Sequence, residues 1–127
     1  MSRIPAPRGA TVAIILETID AHFEHLNALS DKAIQQHHNT TRSTLTTERE
    51  SAAVELRATM LQLEGEIVQY REVRQKVDVT DIVEVYMVGG TKRYEALLEA
   101  TADIEGWERT IRNMEKMIRT FGLGEVE

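Results

Sequence analysis

The chain has 127 residues, no cysteine and a formal charge of −6, with 42% hydrophobic and 28% charged residues. That length supports one domain with a modest core, and the apolar content is too high for a disordered chain. The missing cysteines exclude disulfide scaffolds, thiol catalysis and cysteine-ligated zinc, and the acidic balance disfavours non-specific contact with nucleic acid or anionic membrane.

Pro5, Pro7 and Gly9 predict an extended N-terminal arm over residues 1–10, ahead of a single helical domain over 11–127. The arm does not read as a targeting sequence. The apolar run from Val12 to Leu16 is ended by Glu17 and is too short for a membrane span or a signal peptide. These features point to an intracellular protein, or to one inside a particle assembled in a cell.

The first helix is predicted at about 11–38, with Thr11 as a candidate N-cap. Val12, Ile19, Leu26 and Ala33 fill one heptad register; Ile15, His22, Leu29 and Gln36 fill the other, with Leu16 and Phe23 widening the stripe. The opening β-branched run leaves a short strand possible there. Residues 39–47 are polar and rich in hydroxyls that compete with the backbone, so a break is favoured over one continuous rod. Thr47 and Glu50 have capping-box spacing for the next helix.

The second helix is predicted at about 48–76. Ala53, Met60 and Ile67 fill one register, and Leu56, Leu63, Tyr70 and Val77 the other, with Arg74 as the polar intruder. Val54, Leu61 and Val68 form a second apolar ridge on the flank, which suggests a second neighbour. Gly65 falls on the outward face.

Residues 78–90 are ambiguous. The segment Asp81–Val88 is β-branched enough for a strand, but a lone strand has few edges to pair with here. A two-turn helix capped by Thr80 or Asp81 and stopped at Gly89, or an irregular crossover, is therefore favoured. The last helix, about 92–121, starts after Thr91 and ends at Phe121 and Gly122, with Leu123 able to fold back. Its registers are the cleanest: Leu97, Ile104, Ile111, Ile118 and Ala100, Trp107, Met114, Phe121. Three long amphipathic helices of matched length predict an all-α, coiled-coil-like bundle, a helical hairpin plus a return helix.

Chemistry is harder to find. His22 and His25 lie one turn apart and His37 and His38 are adjacent, but along one helix the two pairs are separated by about 18 Å, too far to share an ion. His22 is expected to be a partly buried, hydrogen-bonded imidazole and His25, His37 and His38 to be solvated. Nothing resembles a P-loop, a nucleophile elbow, a dinucleotide glycine motif or a paired-carboxylate site, so no enzymatic activity, cofactor or metal is expected. Arg109, Arg112, Lys116 and Arg119 line one helix face and could contact a polyanion. However, Glu105–Arg109, Glu108–Arg112 and Glu115–Arg119 have the spacing of helix-stabilising pairs.

The leading expectation is a non-enzymatic helical interaction protein that self-associates, as a structural component of a larger complex such as a phage or other particle. Its interface is expected to include Val54, Leu61, Val68, Ile82, Val83, Tyr86 and Val88. One alternative is an acidic regulator or inhibitor of a basic protein; another is nucleic-acid binding through the basic stripe.

Overall fold

Four helices form among the described residues: α1 (Pro5–Arg42), α2 (Thr46–Arg74), α3 (Val79–Val88) and α4 (Arg93–Val126). The structure, a computed structural model, describes the backbone of residues 5–42 and 45–126 and the side chains of 11–42 and 45–122. The chain is all-α, with no strand among the described residues and four helices where periodicity predicts three.

Side-chain pairing sets the topology. Phe23 packs edge-on against Tyr70, His22 meets Glu66, and Ala33 packs with Leu56 and Met60. As numbers rise along α1 they fall along α2, so the two helices form an antiparallel hairpin. Phe23 stacks with Trp107, Ser30 reaches Met117 and His37 stacks on Phe121. Those numbers rise together, so α4 runs parallel to α1. The result is an up-down-up bundle, with α3 as the crossover that lets the chain return.

The apolar registers of α1 and α2 are where the sequence places them. Val12, Ile19, Leu26 and Ala33 are all buried, as are Met60, Ile67, Leu56, Leu63, Tyr70 and Val77. The central cluster joins Ile19, Leu26 and Leu29 to Leu63, Ile67, Tyr70, Ile111 and Met114. Full burial of a side chain of this size stabilises by about 1.5–3 kcal/mol, so this cluster holds the three long helices together. The inward face of α2 also includes Ala52 and Thr59, both buried.

A second cluster explains α3. Asp78 caps it: its carboxylate accepts from the Asp81 N–H while Asp81 accepts from the Asp78 N–H, each at 3.0 Å. The cap is thus two residues earlier than Thr80, and Asp81 is its reciprocal partner. At the other end Gly90 has φ of 105°, where a side chain would be strained, and the Thr91 N–H bonds the Tyr86 carbonyl at 3.1 Å. Between these ends Ile82 and Val83 pack on Val12, Val77, Ala96 and Ala100. A helix of ten residues is too short to be stable in water alone, so this docking holds it.

Several boundaries differ from expectation. The predicted arm is helical from Pro5; residues 1–4 lie outside the described residues. Proline is compatible with a first turn, whose N–H groups have no helical partner, so Pro5 and Pro7 start the helix without breaking it, and Thr11 lies inside it. The break before α2 is present, with residues 43–44 outside the described residues, but the cap is Leu45 and makes no side-chain cap hydrogen bond. Thr47 and Glu50 therefore form no capping box; helix growth is carried by the packing of Ala52 and Leu56 further along. The Lys92 carbonyl, one residue after Thr91, accepts the first bond of α4, from Ala96 at 2.7 Å. Gly122 does not stop α4, which continues to Val126. Glycine permits a left-handed stop without requiring one. The Leu123 side chain lies outside the described residues.

The register of α4 also shifts at its start. Leu97 is 48% exposed, while Ala96 and Ala100 are fully buried. The docked α3 sits close to α4, and only small side chains fit between them, so the inward face there centres on the alanines.

Two tyrosines, the buried Tyr70 and the half-buried Tyr86, carry a pH dependence. Burial and then the Glu108 carboxylate, 3.3 Å from the hydroxyl, push the Tyr70 phenol well above its ordinary value. Burial and the hydrogen bond to Asp103 do the same for Tyr86. The folded state holds both protons more tightly than the unfolded state does. Their contribution is complete below about pH 10 and is lost as pH rises through the raised folded values. Melting temperatures measured from pH 8 to 11.5 should fall more steeply for the wild type than for the Tyr70→Phe/Tyr86→Phe variant. Equal slopes would show that other groups drive the alkaline loss.

Candidate functional site

The residues expected at an interface do not stay together in the fold. Val54, Leu61 and Val68 remain on the surface, 62%, 63% and 56% exposed. Ile82 and Val83 are buried in the cluster under α3, so they hold the bundle together and offer no docking surface. Tyr86 is half-buried and donates its hydroxyl proton to Asp103. Val88, at the end of α3, is 89% exposed beside the Gly89–Gly90 turn. The cause is that α3 is amphipathic: one side is spent on α1 and α4, and the residues left exposed are the polar Thr80 and Glu84 and, at its end, Val88.

On α2 the outcome is the opposite. Its inward face carries Ala52, Leu56, Thr59, Met60, Leu63, Ile67 and Tyr70, a complete set of contacts for α1 and α4. At about 100° per residue, Val54, Leu61 and Val68 project from the side opposite that face. Ser51, Ala58 and Gly65, also exposed, interleave with them. A Cβ built on Gly65 meets nothing within 4 Å. The α2 helix thus has an apolar stripe on each side, and the chain itself covers one of them. The ridge was legible in the sequence; that its neighbour would not come from within the chain was not.

The histidines serve the hairpin. His22 Nδ1 lies 2.5 Å and His25 Nδ1 3.1 Å from the two carboxylate oxygens of Glu66, so two imidazoles of α1 clamp one acid of α2. His22 is mostly buried, as expected, while His25 keeps an exposed ring yet is not free in solvent. A tetrahedral metal with bonds of about 2.1 Å holds its donors about 3.4 Å apart, so the His22–Glu66 contact is a hydrogen bond rather than half of a metal shell. No group of three histidine, cysteine or acidic residues among the described residues could hold a metal ion. His37, expected in solvent, stacks on Phe121 with ring centroids 4.0 Å apart. Glu66 escaped the sequence reading. Its one signal was a seven-residue spacing from Thr59 and Val73, which puts it on the inward flank opposite α1.

The hydroxyls beside these histidines are engaged as well. Thr40 donates to the His37 carbonyl at 2.6 Å and Thr41 to the His38 carbonyl at 2.9 Å, which ties both to the helix backbone. Arg109, Arg112, Lys116 and Arg119 are all exposed on α4. Glu115, expected to pair along the helix with Arg119, accepts from Arg71 of α2 at 2.7 Å; that hydrogen bond holds the Glu115 carboxyl below the usual range. No helix among the described residues is long and apolar enough to cross a membrane.

The chain matches no protein-family model, no curated protein and no solved structure.

Proposed function

We propose that this protein is a non-enzymatic helical assembly protein that self-associates and serves as a structural component of a larger complex. One observation carries the reading: Val54, Leu61 and Val68 form an exposed apolar ridge on a helix whose opposite face already satisfies the core. Burying each of these side chains contributes about 1–2 kcal/mol at the usual area coefficient, so the six from two copies give about 6–12 kcal/mol gross. Association costs about 4–15 kcal/mol in lost freedom, so the equilibrium is reversible and depends on concentration.

Light scattering of the purified protein across concentration should show a mass above that of one chain, rising with concentration. Leu61→Glu combined with Val68→Glu should shift the protein to monomer with unchanged far-ultraviolet circular dichroism, because both positions face solvent in the bundle. A wild type that is monomeric at high concentration would leave the ridge to a different protein, in line with the acidic-regulator reading. Salt-dependent binding of an oligonucleotide, lost on Arg112→Ala with Lys116→Ala, would instead support a role for the basic stripe.

A further inference from the structure

We infer that α2 pairs with α2 of a second copy of this chain, antiparallel and related by a two-fold axis between residues 59 and 60. The inference rests on the self-association proposed above and names its geometry. The outward stripe of α2 reads Ser51, Val54, Ala58, Leu61, Gly65, Val68, with spacings alternating between three and four residues. All six residues are exposed, with nothing of this chain within 4 Å of a Cβ placed at Gly65. That spacing is the seam of a two-helix coiled coil, with small residues in one register and branched apolar residues in the other.

The size alternation selects the antiparallel sense, and the length of the stripe selects a register. Antiparallel pairing about that axis sets Ser51 against Val68 of the second copy, Val54 against Gly65, and Ala58 against Leu61, and then repeats by symmetry. Every layer then holds one small and one branched residue, the alternation that lets facing side chains interdigitate. Moving seven residues one way would put Val54 against Glu72, and moving seven the other way would put Glu50 beside Glu64 and Arg57 beside its own copy.

The flanking charges select the same arrangement independently. Glu50, Arg57, Glu64 and Arg71 follow one another at seven-residue intervals along one side of the stripe, with alternating sign. In the antiparallel register Arg57 meets Glu64 of the second copy and Glu50 meets Arg71. Each pair occurs twice, and all four contacts are attractive. Arg71 already donates one nitrogen to Glu115 and has further N–H donors for this contact. A parallel pair would bring Glu50 to Glu55, Arg57 to Gln62 and Glu64 to Gln69, with no attraction among them and the Glu50–Glu55 repulsion occurring twice. A two-fold interface of this kind closes on itself. It yields a dimer with two copies of every other surface, among them the exposed Val88, Leu98 and Tyr94 around the α3–α4 turn.

The natural absence of cysteine makes the geometry readable by cross-linking. Residues 51 and 68 of α2 lie about 25 Å apart along the helix. Under mild oxidation, Ser51→Cys mixed with Val68→Cys should give a disulfide-linked heterodimer, while Ser51→Cys alone should stay monomeric on denaturing gels. Arg57→Glu and Glu64→Arg should each raise the dimer dissociation constant by about tenfold, and the two together should restore it, with circular dichroism unchanged throughout. Efficient self-linking of Ser51→Cys would mean parallel helices and overturn the inference. So would a double charge variant no tighter than either single one. If neither cysteine protein links, alone or mixed, while light scattering shows an oligomer, the α2 interface fails and self-association stands. A monomer at all concentrations removes both.

Discussion

Replacing Ile111 by aspartate is expected to lower the melting temperature by about 15 °C or more, corresponding to at least about 4 kcal/mol for a chain of this size. Ile111 is fully buried where all three long helices meet, in contact with the cluster built from Ile19, Leu26, Leu63, Ile67, Tyr70 and Met114. The substitution removes an apolar side chain worth about 1.5–3 kcal/mol and puts in its place a carboxylate that must either ionise without a partner or stay protonated without one. The next residue gives the control. Arg112 is exposed, and Arg112→Ala should change stability by no more than about 0.5 kcal/mol. Thermal denaturation of both variants decides the matter: equal losses would mean that the inward face of α4 does not include position 111.

Val83→Glu is the second large effect, expected at about 3 kcal/mol or more and confined at first to one end of the molecule. The sequence groups Val83 with Leu61 as interface because both are apolar and outside the main registers of the three long helices. In the fold, Val83 is buried against α4 and Val12 while Leu61 faces out. The same change of residue should therefore have different consequences at the two positions. At 61 it should alter mass and leave helicity intact. At 83 it should release α3, because ten residues cannot sustain a helix without docking. Hydrogen exchange should show faster amides over 79–88 and across the neighbouring turn, with the α1–α2 hairpin still protected. Native protection in α3 together with a lower oligomer mass would put Val83 in an interface after all.

The contrast between these residues shows where sequence periodicity is informative and where it fails. Along α1 and α2 the apolar side chains recur on the same face for many turns, and burial of a long stripe is a sum that no single local choice can overrule. That is why Val12, Ile19, Leu26 and Ala33 are inside and why Gly65 is outside. Caps and stops are single interactions of about 1 kcal/mol, small beside such a stripe. Thr47–Glu50, Thr91 and Gly122 carried sound local signals and did not decide where their helices begin or end. The Asp78–Asp81 box did form, because α3 is short and its first turn is a large part of it.

By itself, then, the sequence determined that the chain is helical, that its two long N-terminal stripes face each other, and that a third stripe closes on them. It also placed an apolar ridge on α2. Only the tertiary structure decided which apolar residues have partners within the chain. Docking of α3 puts Ile82 and Val83 inside and centres the start of α4 on Ala96 and Ala100, leaving Leu97 out of the core, while the pairing of α1 with α2 brings the Glu66 carboxylate to His22 and His25. A periodic pattern states that a face will be buried but not against what. The identity of the covering surface depends on how elements far apart in the chain compete for it, and on α2 that competition leaves one face open.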